Sequence, residues 1–302
     1  MIEIESISKL TRRNFVKILG LTPIFLTKLG DIFNVGNSIL NITDDNEKTC
    51  NEKFKYFSKA GINSNPIGDI IAYVGKSFLG TEYVANTLEI NVEEQLVINF
   101  KGLDCVTFVE NCLTFSRCIS ANKTTFDDFK SELQGIRYRD GKINGYASRL
   151  NYFCDWIYNN EQKGIVKNIT KDIGGVIYDK TINFMSKHRK SYKQLARDDE
   201  YAMIVMCEQE INTRDYYYIP KKSISKVYDK LKTGDIIATT TAIEGLDVTH
   251  TGYVYKGDDG GTYFMHASSK YGEVIISKNS LADYISEDSK KTGIMVARPQ
   301  EV

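Results

Sequence analysis

The stretch that most restricts this chain is Gly102 to Ile119, GLDCVTFVENCLTFSRCI. Phe108, Val109, Cys112, Phe115 and Ile119 recur at the spacing of one helix face, which predicts a buried helix. Asp104 stands directly before it, and a carboxylate there can accept from the unpartnered N–H groups of the first turn. Cys105 is thereby set at the helix start, where the partial positive charge favours a thiolate over a thiol. A cysteine on a buried face commonly serves packing. Its chemistry therefore depends on what the rest of the chain brings to it.

With 302 residues, the chain can bury about three quarters of its unfolded surface without covalent staples. Lysine plus arginine equals aspartate plus glutamate at 39 each, so no basic field recruits nucleic acid or an anionic membrane. No apolar run approaches the length of a membrane span, which argues against stable membrane insertion. The composition is that of a soluble globular protein, and it leaves the oligomeric state open. Some of the 19 tyrosines are expected to line a polar groove. The six cysteines show no CxxC and no metal-type cluster with His188, His250 and His266. Cys105 and Cys112 would lie about 10 Å apart along a helix, beyond bridging distance. A disulfide using Cys50, Cys154 or Cys207 stays open.

Residues 1–45 read as a leader and 46–302 as one domain, with a helical and loop insertion at about 120–225. Thr11-Arg12-Arg13-Asn14-Phe15-Val16-Lys17 resembles the twin-arginine export signal, followed by a modest apolar stretch from Ile18 to Leu29. That reading implies export to the periplasm. Lys28 and Asp31 shorten the apolar stretch and no small-residue cleavage site follows, so the alternative is an amphipathic helix on a cytoplasmic protein. Helices are expected at 51–60, 67–78, 126–133, 153–159 and 199–212. Glu94 to Phe100 alternates and is β-branched, which predicts a strand. The last third supplies five more strands, near 236–241, 248–255, 262–267, 273–277 and 293–298. With the turn Gly257 to Gly261 between two of them, the order expected is antiparallel.

Two segments carry candidate chemistry. Arg137-Tyr138-Arg139-Asp140-Gly141 and Gly145 to Tyr152 interleave arginines and tyrosines. They read either as a solvated face or as a recognition surface in which guanidinium forks meet carboxylates and rings stack on a substrate. Arg137, Arg139, Tyr146, Arg149, Tyr152 and Trp156 are the candidates there. His250 and His266 lie in neighbouring predicted strands. If Lys256 faces Thr262, His266 falls opposite Gly252 and shares a face with His250. The pair should then turn together toward the start of the cysteine helix, with Gly252 leaving room between helix and sheet. A thiol, a base and a group that orients the base make a nucleophilic site, and Cys105, His250 and His266 can supply these.

Leu79-Gly80-Thr81-Glu82-Tyr83, Asp104-Cys105, Gly234-Asp235-Ile236-Ile237, His250-Thr251-Gly252 and His266-Ala267-Ser268-Ser269 resemble the successive landmarks of the NlpC-type bacterial cell-wall cysteine hydrolases. LDCVTFVEN, RYRDGKINGY, SRLNYFCDWI and GLDVTH are similar to the N-acetylmuramoyl-L-alanine amidase-like branch long catalogued as a domain of unknown function. The likeness runs from about residue 66 to 299. It implies a papain-like α+β fold, in which a cysteine-bearing helix packs on an antiparallel sheet. The implied activity is hydrolysis of the amide between the lactyl group of N-acetylmuramic acid and L-alanine in muropeptides or other peptidoglycan fragments. Cys105 would be the nucleophile, His250 the base and His266 its orienting partner. Tyr83 and Asp104 would border the nucleophile. No metal or organic cofactor is implied. Asn151 stands where the resemblance leads one to expect histidine, which puts one substrate contact in doubt. Rival readings are an endopeptidase cutting a γ-D-glutamyl bond of the stem peptide, acyl transfer, and a non-catalytic wall-binding module.

Replacing Arg12 and Arg13 together by lysine should hold the protein in the cytoplasm, as scored by cell fractionation. Unchanged location would leave only the amphipathic-helix reading.

Overall fold

The computed structural model describes residues 35–302, so the twin-arginine segment lies outside the described residues. Helices α1 (Val35–Lys59), α2 (Ile67–Lys76), α3 (Cys105–Ser120), α4 (Phe126–Arg137), α5 (Phe153–Gln162), α6 (Phe184–Lys187), α7 (Asp198–Ile211) and α8 (Leu281–Ser286) accompany ten strands. The strands are β1 (Glu82–Tyr83), β2 (Gly102–Leu103), β3 (Val166–Asn168), β4 (Val176–Ile177), β5 (Tyr217–Pro220), β6 (Ile236–Thr241), β7 (Val248–Lys256), β8 (Thr262–Ser268), β9 (Glu273–Ile276) and β10 (Lys291–Pro299). They form one sheet in the order β2-β1-β9-β8-β7-β6-β10-β5-β4, with β3 also on β10. Only the β1–β2 pair is parallel. The fold is thus mixed α+β with a mostly antiparallel sheet.

Helix α3 begins where its sequence dictates. Asp104 is extended at φ −93° and accepts from the Thr107 N–H at 2.8 Å, while Thr107 Oγ1 accepts from the Asp104 N–H at 2.9 Å. This reciprocal capping box settles donors that the first turn leaves open. The helix is buried on nearly every side between α1, α2, α4 and the sheet. Phe115 alone meets the rings of Phe54, Phe57, Phe78, Phe100 and Phe129 at centroid distances of 4.9, 5.6, 6.3, 5.5 and 4.6 Å. Burial also reaches Thr114 and Ser116, which donate back to the carbonyls of Glu110 and Cys112, both at 2.7 Å.

The sheet has two covered faces. Ile236, Ala238, Tyr253, Met265, Met295 and Ala297 belong to the core that includes α3, and the Tyr253 hydroxyl donates to the Val109 carbonyl at 2.7 Å. Ile237, Val254, Phe264, Ile294 and Val296 pack with Leu281 and Ile285 of α8 on the other side. All six cysteines are free thiols.

Glu94 to Phe100 is not a strand but an irregular connection. Side chains take its backbone acceptors. Tyr138 donates to the Gln95 carbonyl, Arg137 to Val97, Asn46 to Ile98 and Asn111 to Asn99. With four of its carbonyls taken in this way, the segment depends less on a neighbouring strand. The short strands β1 to β5, and helix α8, escape pattern reading because two to six residues do not establish a period.

The hairpin register is the one that parity requires. Lys256 pairs with Thr262 and Tyr253 with Met265. Continued to the next position, the ladder sets His266 beside Gly252, and a Cβ built on Gly252 would lie 2.7 Å from His266 Cβ. That Cβ would also lie 2.6 Å from the Met265 carbonyl oxygen. The glycine therefore makes room for β8 rather than for the cysteine helix. The histidines share a face as expected, but it is the face carrying Val254 and Phe264, opposite the one on which α3 packs. Gly252→Ala should force β8 outward and cost about 1–3 kcal/mol of stability, as measured by urea unfolding.

Candidate active site

His250 Nε2 and His266 Nδ1 are 2.8 Å apart, and the two rings stand at 89° with centroids 4.7 Å apart. Phe264 stacks on His266 at 4.6 Å, and the Tyr284 ring lies 4.8 Å from it. His266 is fully buried, and its Nε2 has no hydrogen-bond partner. His250, near the start of β7, opens instead onto a cavity of about 230 Å³ that Cys105 also lines.

The sulfur reaches this pair through the backbone. The β7–β8 ladder ends at Tyr253, and the N–H of Thr251, next to His250, turns to Cys105. Burial, and then the Asp104 carboxyl, push the Cys105 thiol up to about 12. The N–H groups of Thr251, Cys105 and Val106 oppose this without overcoming it. Burial holds His250 well below the usual imidazole range, and the charges of His266 and Lys291 add to the effect. His266 is lowered to about 3 by burial and then by Lys291. Burial thus biases both the Cys105 thiol and the His250 imidazole toward their neutral forms. The direction runs against the one expected from the helix start alone, because desolvation opposes the helix dipole there.

The cavity is lined on its other sides by Asn86, Leu88, Glu89, Asp104, Glu110, Arg137, Arg149, Asn151 and Asp247, among others. Its arginines are already occupied. Arg137, 2% exposed, holds Glu110 at 2.7 Å and the Val97 carbonyl at 2.5 Å. Arg149 pairs with Glu89 and donates to the Leu88 carbonyl at 2.8 Å. Glu110 also accepts from Trp156 Nε1 at 3.2 Å. Asp104 and Asp247 form no ion pair among the described residues, and burial raises both carboxyls. Among the described residues, no group of three or more His, Cys, Asp or Glu side chains is arranged to hold a metal ion.

The profile of the AmiA-like family, N-acetylmuramoyl-L-alanine amidase-like, matches residues 73–294. The chain belongs to that family. Among solved structures, an N-acetylmuramoyl-L-alanine amidase from Bacteroides uniformis is 37% identical, with 78% of this chain and 99% of that one covered at a TM-score of 0.73. A putative xylanase from Bacteroides fragilis, also 37% identical, covers 75% and 99% at 0.71. A Legionella pneumophila protein at 21% identity, covering 86% and 96% at 0.66, shares the fold. No curated protein matches.

The family match spans Cys105, His250 and His266, and the fold brings them to one place. Tyr83 lies close enough to Cys105 and Asp104 for both to oppose ionisation of its phenol. The arginine–tyrosine segment is divided. Arg137 and Arg149 reach the cavity wall, but their guanidinium groups serve buried carboxylates. Arg139 is bonded to Asp155 at 2.6 Å, Tyr146 donates to Glu89 at 3.2 Å, and Tyr152 donates to Glu208 at 2.7 Å. None of these three, nor the fully buried Trp156, lines the cavity. The segment is thus neither a solvated face nor a set of open guanidinium forks. Asn151 lines the cavity, accepting from Arg149 Nε at 3.1 Å and donating to the carbonyls of Tyr146 and Arg149. Sequence reading missed Glu110, Asp247, Tyr284 and Lys291. A buried acid in a helix interior was the one available signal, at Glu110.

A thiol raised to about 12 loses its proton only as the pH climbs toward that value. The alkylation rate of Cys105 by iodoacetamide should therefore increase about tenfold per pH unit between pH 7 and 10. A preformed thiolate–imidazolium pair would give a flat profile over the same range.

Proposed function

We propose that this protein is a papain-like cysteine amidase of the NlpC type. It hydrolyses the amide between the lactyl group of N-acetylmuramic acid and L-alanine in muropeptides. The observation that carries the reading is the 2.8 Å His250–His266 contact opening onto the cavity that Cys105 lines, in a chain of an amidase-like family.

With His250 Nε2 directed to His266, its Nδ1 remains to meet the thiol. The proton of Cys105 passes to Nδ1 as the sulfur attacks the lactyl carbonyl. His250 then donates from Nε2 to His266 Nδ1, so His266 keeps its own proton on Nε2 and orients the base. The backbone N–H of Cys105, at the helix start, would hold the oxyanion. Collapse of the intermediate expels the L-alanine amine, which takes the proton from His250. Water, deprotonated by His250, then cleaves the thioester and restores the thiol.

Glycoside hydrolysis, which the description of the Bacteroides fragilis protein would suggest, needs two carboxyl groups able to serve as acid and base or nucleophile. Here Asp104 caps α3, Glu110 and Glu89 hold arginines, and Asp247 accepts from the Cys154 N–H at 2.7 Å. The cavity's carboxyls are engaged in structure.

Incubation with a panel of defined muropeptides, with products identified by mass spectrometry, tests the reading. Release of intact stem peptide beginning at L-alanine is expected, and Cys105→Ala should abolish it while leaving the circular dichroism spectrum unchanged. Release of fragments cut after D-glutamate would establish the endopeptidase instead. Full activity of Cys105→Ala would remove the proposed nucleophile.

A further inference from the structure

Lys291 is a half-buried cation beside the histidine pair, and neither the cap, the cavity nor the proposed reaction uses it. It pairs with Thr241 of β6, while His250 pairs with Thr239 two residues earlier. The ladders are bulged at Lys291/Gly293 and at Thr239/Thr240, so it is the Tyr284 ring that shows the two side chains to be neighbours. The Lys291 Nζ sits 4.3 Å from the centre of the Tyr284 ring, and that ring lies 4.8 Å from the ring of His266 and 6.4 Å from that of His250. Among the described residues Lys291 forms no salt bridge. Of the acids that attract it, Glu287 bonds Lys270 and Asn279, and Asp288 accepts from the Lys290 N–H through Oδ1 without contacting Lys291 Nζ. Burying an ammonium without a bonded anion is costly, and such a group suits an anionic ligand.

The cavity that Cys105 and His250 line is a poorer host for such a ligand. There the two guanidinium groups are neutralised by Glu110 and Glu89, and the additional carboxyls of Asp104 and Asp247 face the same space. Hydroxyl and amide donors of an uncharged sugar fit such a wall, whereas a carboxylate is repelled by it. A stem peptide carries its first free α-carboxylate on the D-glutamate, about two residues or 7 Å from the scissile amide.

We propose that Lys291 binds this stem-peptide carboxylate, so that the substrate lies with its sugar in the carboxyl-lined cavity and its peptide along Tyr284 and Lys291. The assignment rests on the amidase reading of the site and gives it a direction. It also touches the chemistry. After burial, the charge of Lys291 is one of the causes that depress His250 and His266, and a carboxylate that offsets this charge removes that part of the depression as the substrate seats. Cys105 and Lys221 also face Lys291 electrostatically, as do Asp288 and Glu287; none of these changes partner in the process.

The test uses N-acetylmuramoyl-L-alanyl-D-glutamate with its γ-carboxyl capped as a methylamide and its α-carboxyl either free or converted to a carboxamide. Calorimetric titration of the Cys105→Ala protein should show the free acid binding at least about tenfold more tightly than the carboxamide, a ratio in keeping with one charge-assisted contact. Adding Lys291→Gln should bring the ratio to about one, and adding Lys291→Arg should keep most of it. Equal affinity in the Cys105→Ala background, a preference that survives Lys291→Gln, or no binding of either ligand overturns the proposal. Turnover by the unmodified enzyme separates the two readings. Cleavage of both ligands at the lactyl amide without a Lys291-dependent preference removes Lys291 alone. A Lys291-dependent preference without cleavage removes the amidase reaction alone.

Discussion

The reciprocal bond between Asp104 and Thr107 fixes where α3 begins, and with it the position of the sulfur. Moving the helix start by one residue would rotate Cys105 by about 100° and take it away from the end of β7. Because Asp104 is spent on the cap, it cannot act as a second base. It still places negative charge beside the thiol and so helps keep the proton on sulfur. The group that positions the sulfur is also one that disfavours its ionisation.

Restraint of this kind changes what the site must do. In the proposed reaction, a preformed ion pair would need little from the substrate, whereas a thiol and an imidazole biased toward their neutral forms need the substrate to complete them. The fully buried His266 and the apolar rings of Phe264 and Tyr284 keep the pair desolvated. In that reaction, charge appears there only when the carbonyl is in place to receive it. Low dielectric surroundings then strengthen the donors at the helix start.

Much of this was legible in the sequence. The period of the α3 stretch, the aspartate before it and the five strands of the last third gave the two halves of the core. The parity of the hairpin placed both histidines on one face. Less legible was which face, since alternation relates residues to one another and not to a helix 140 residues away. Arg137, Arg149 and Tyr152 misled for a related reason. Residues suited to ligand recognition are also those that satisfy buried acids, and Glu110, Glu89 and Glu208 had claimed them. The strand expected at residues 94–100 failed because its acceptors were filled from outside the sheet. Each miss traces to a distant partner that no local pattern reveals.

The place of β10 has a consequence for how the protein is made. This strand runs between β6 and β5, and it also carries β3. A nascent chain that already holds the cysteine, both histidines and the whole cavity wall still presents β6 with an open edge. Until residues 291–299 enter, the sheet that aligns the base with the sulfur lacks an inner strand. Pairing of such high sequence separation is slow and comes late. A ribosome-bound or truncated chain therefore carries Cys105, His250 and His266 without the sheet that aligns them, and its thiol lacks the burial that holds the proton on sulfur in the finished fold.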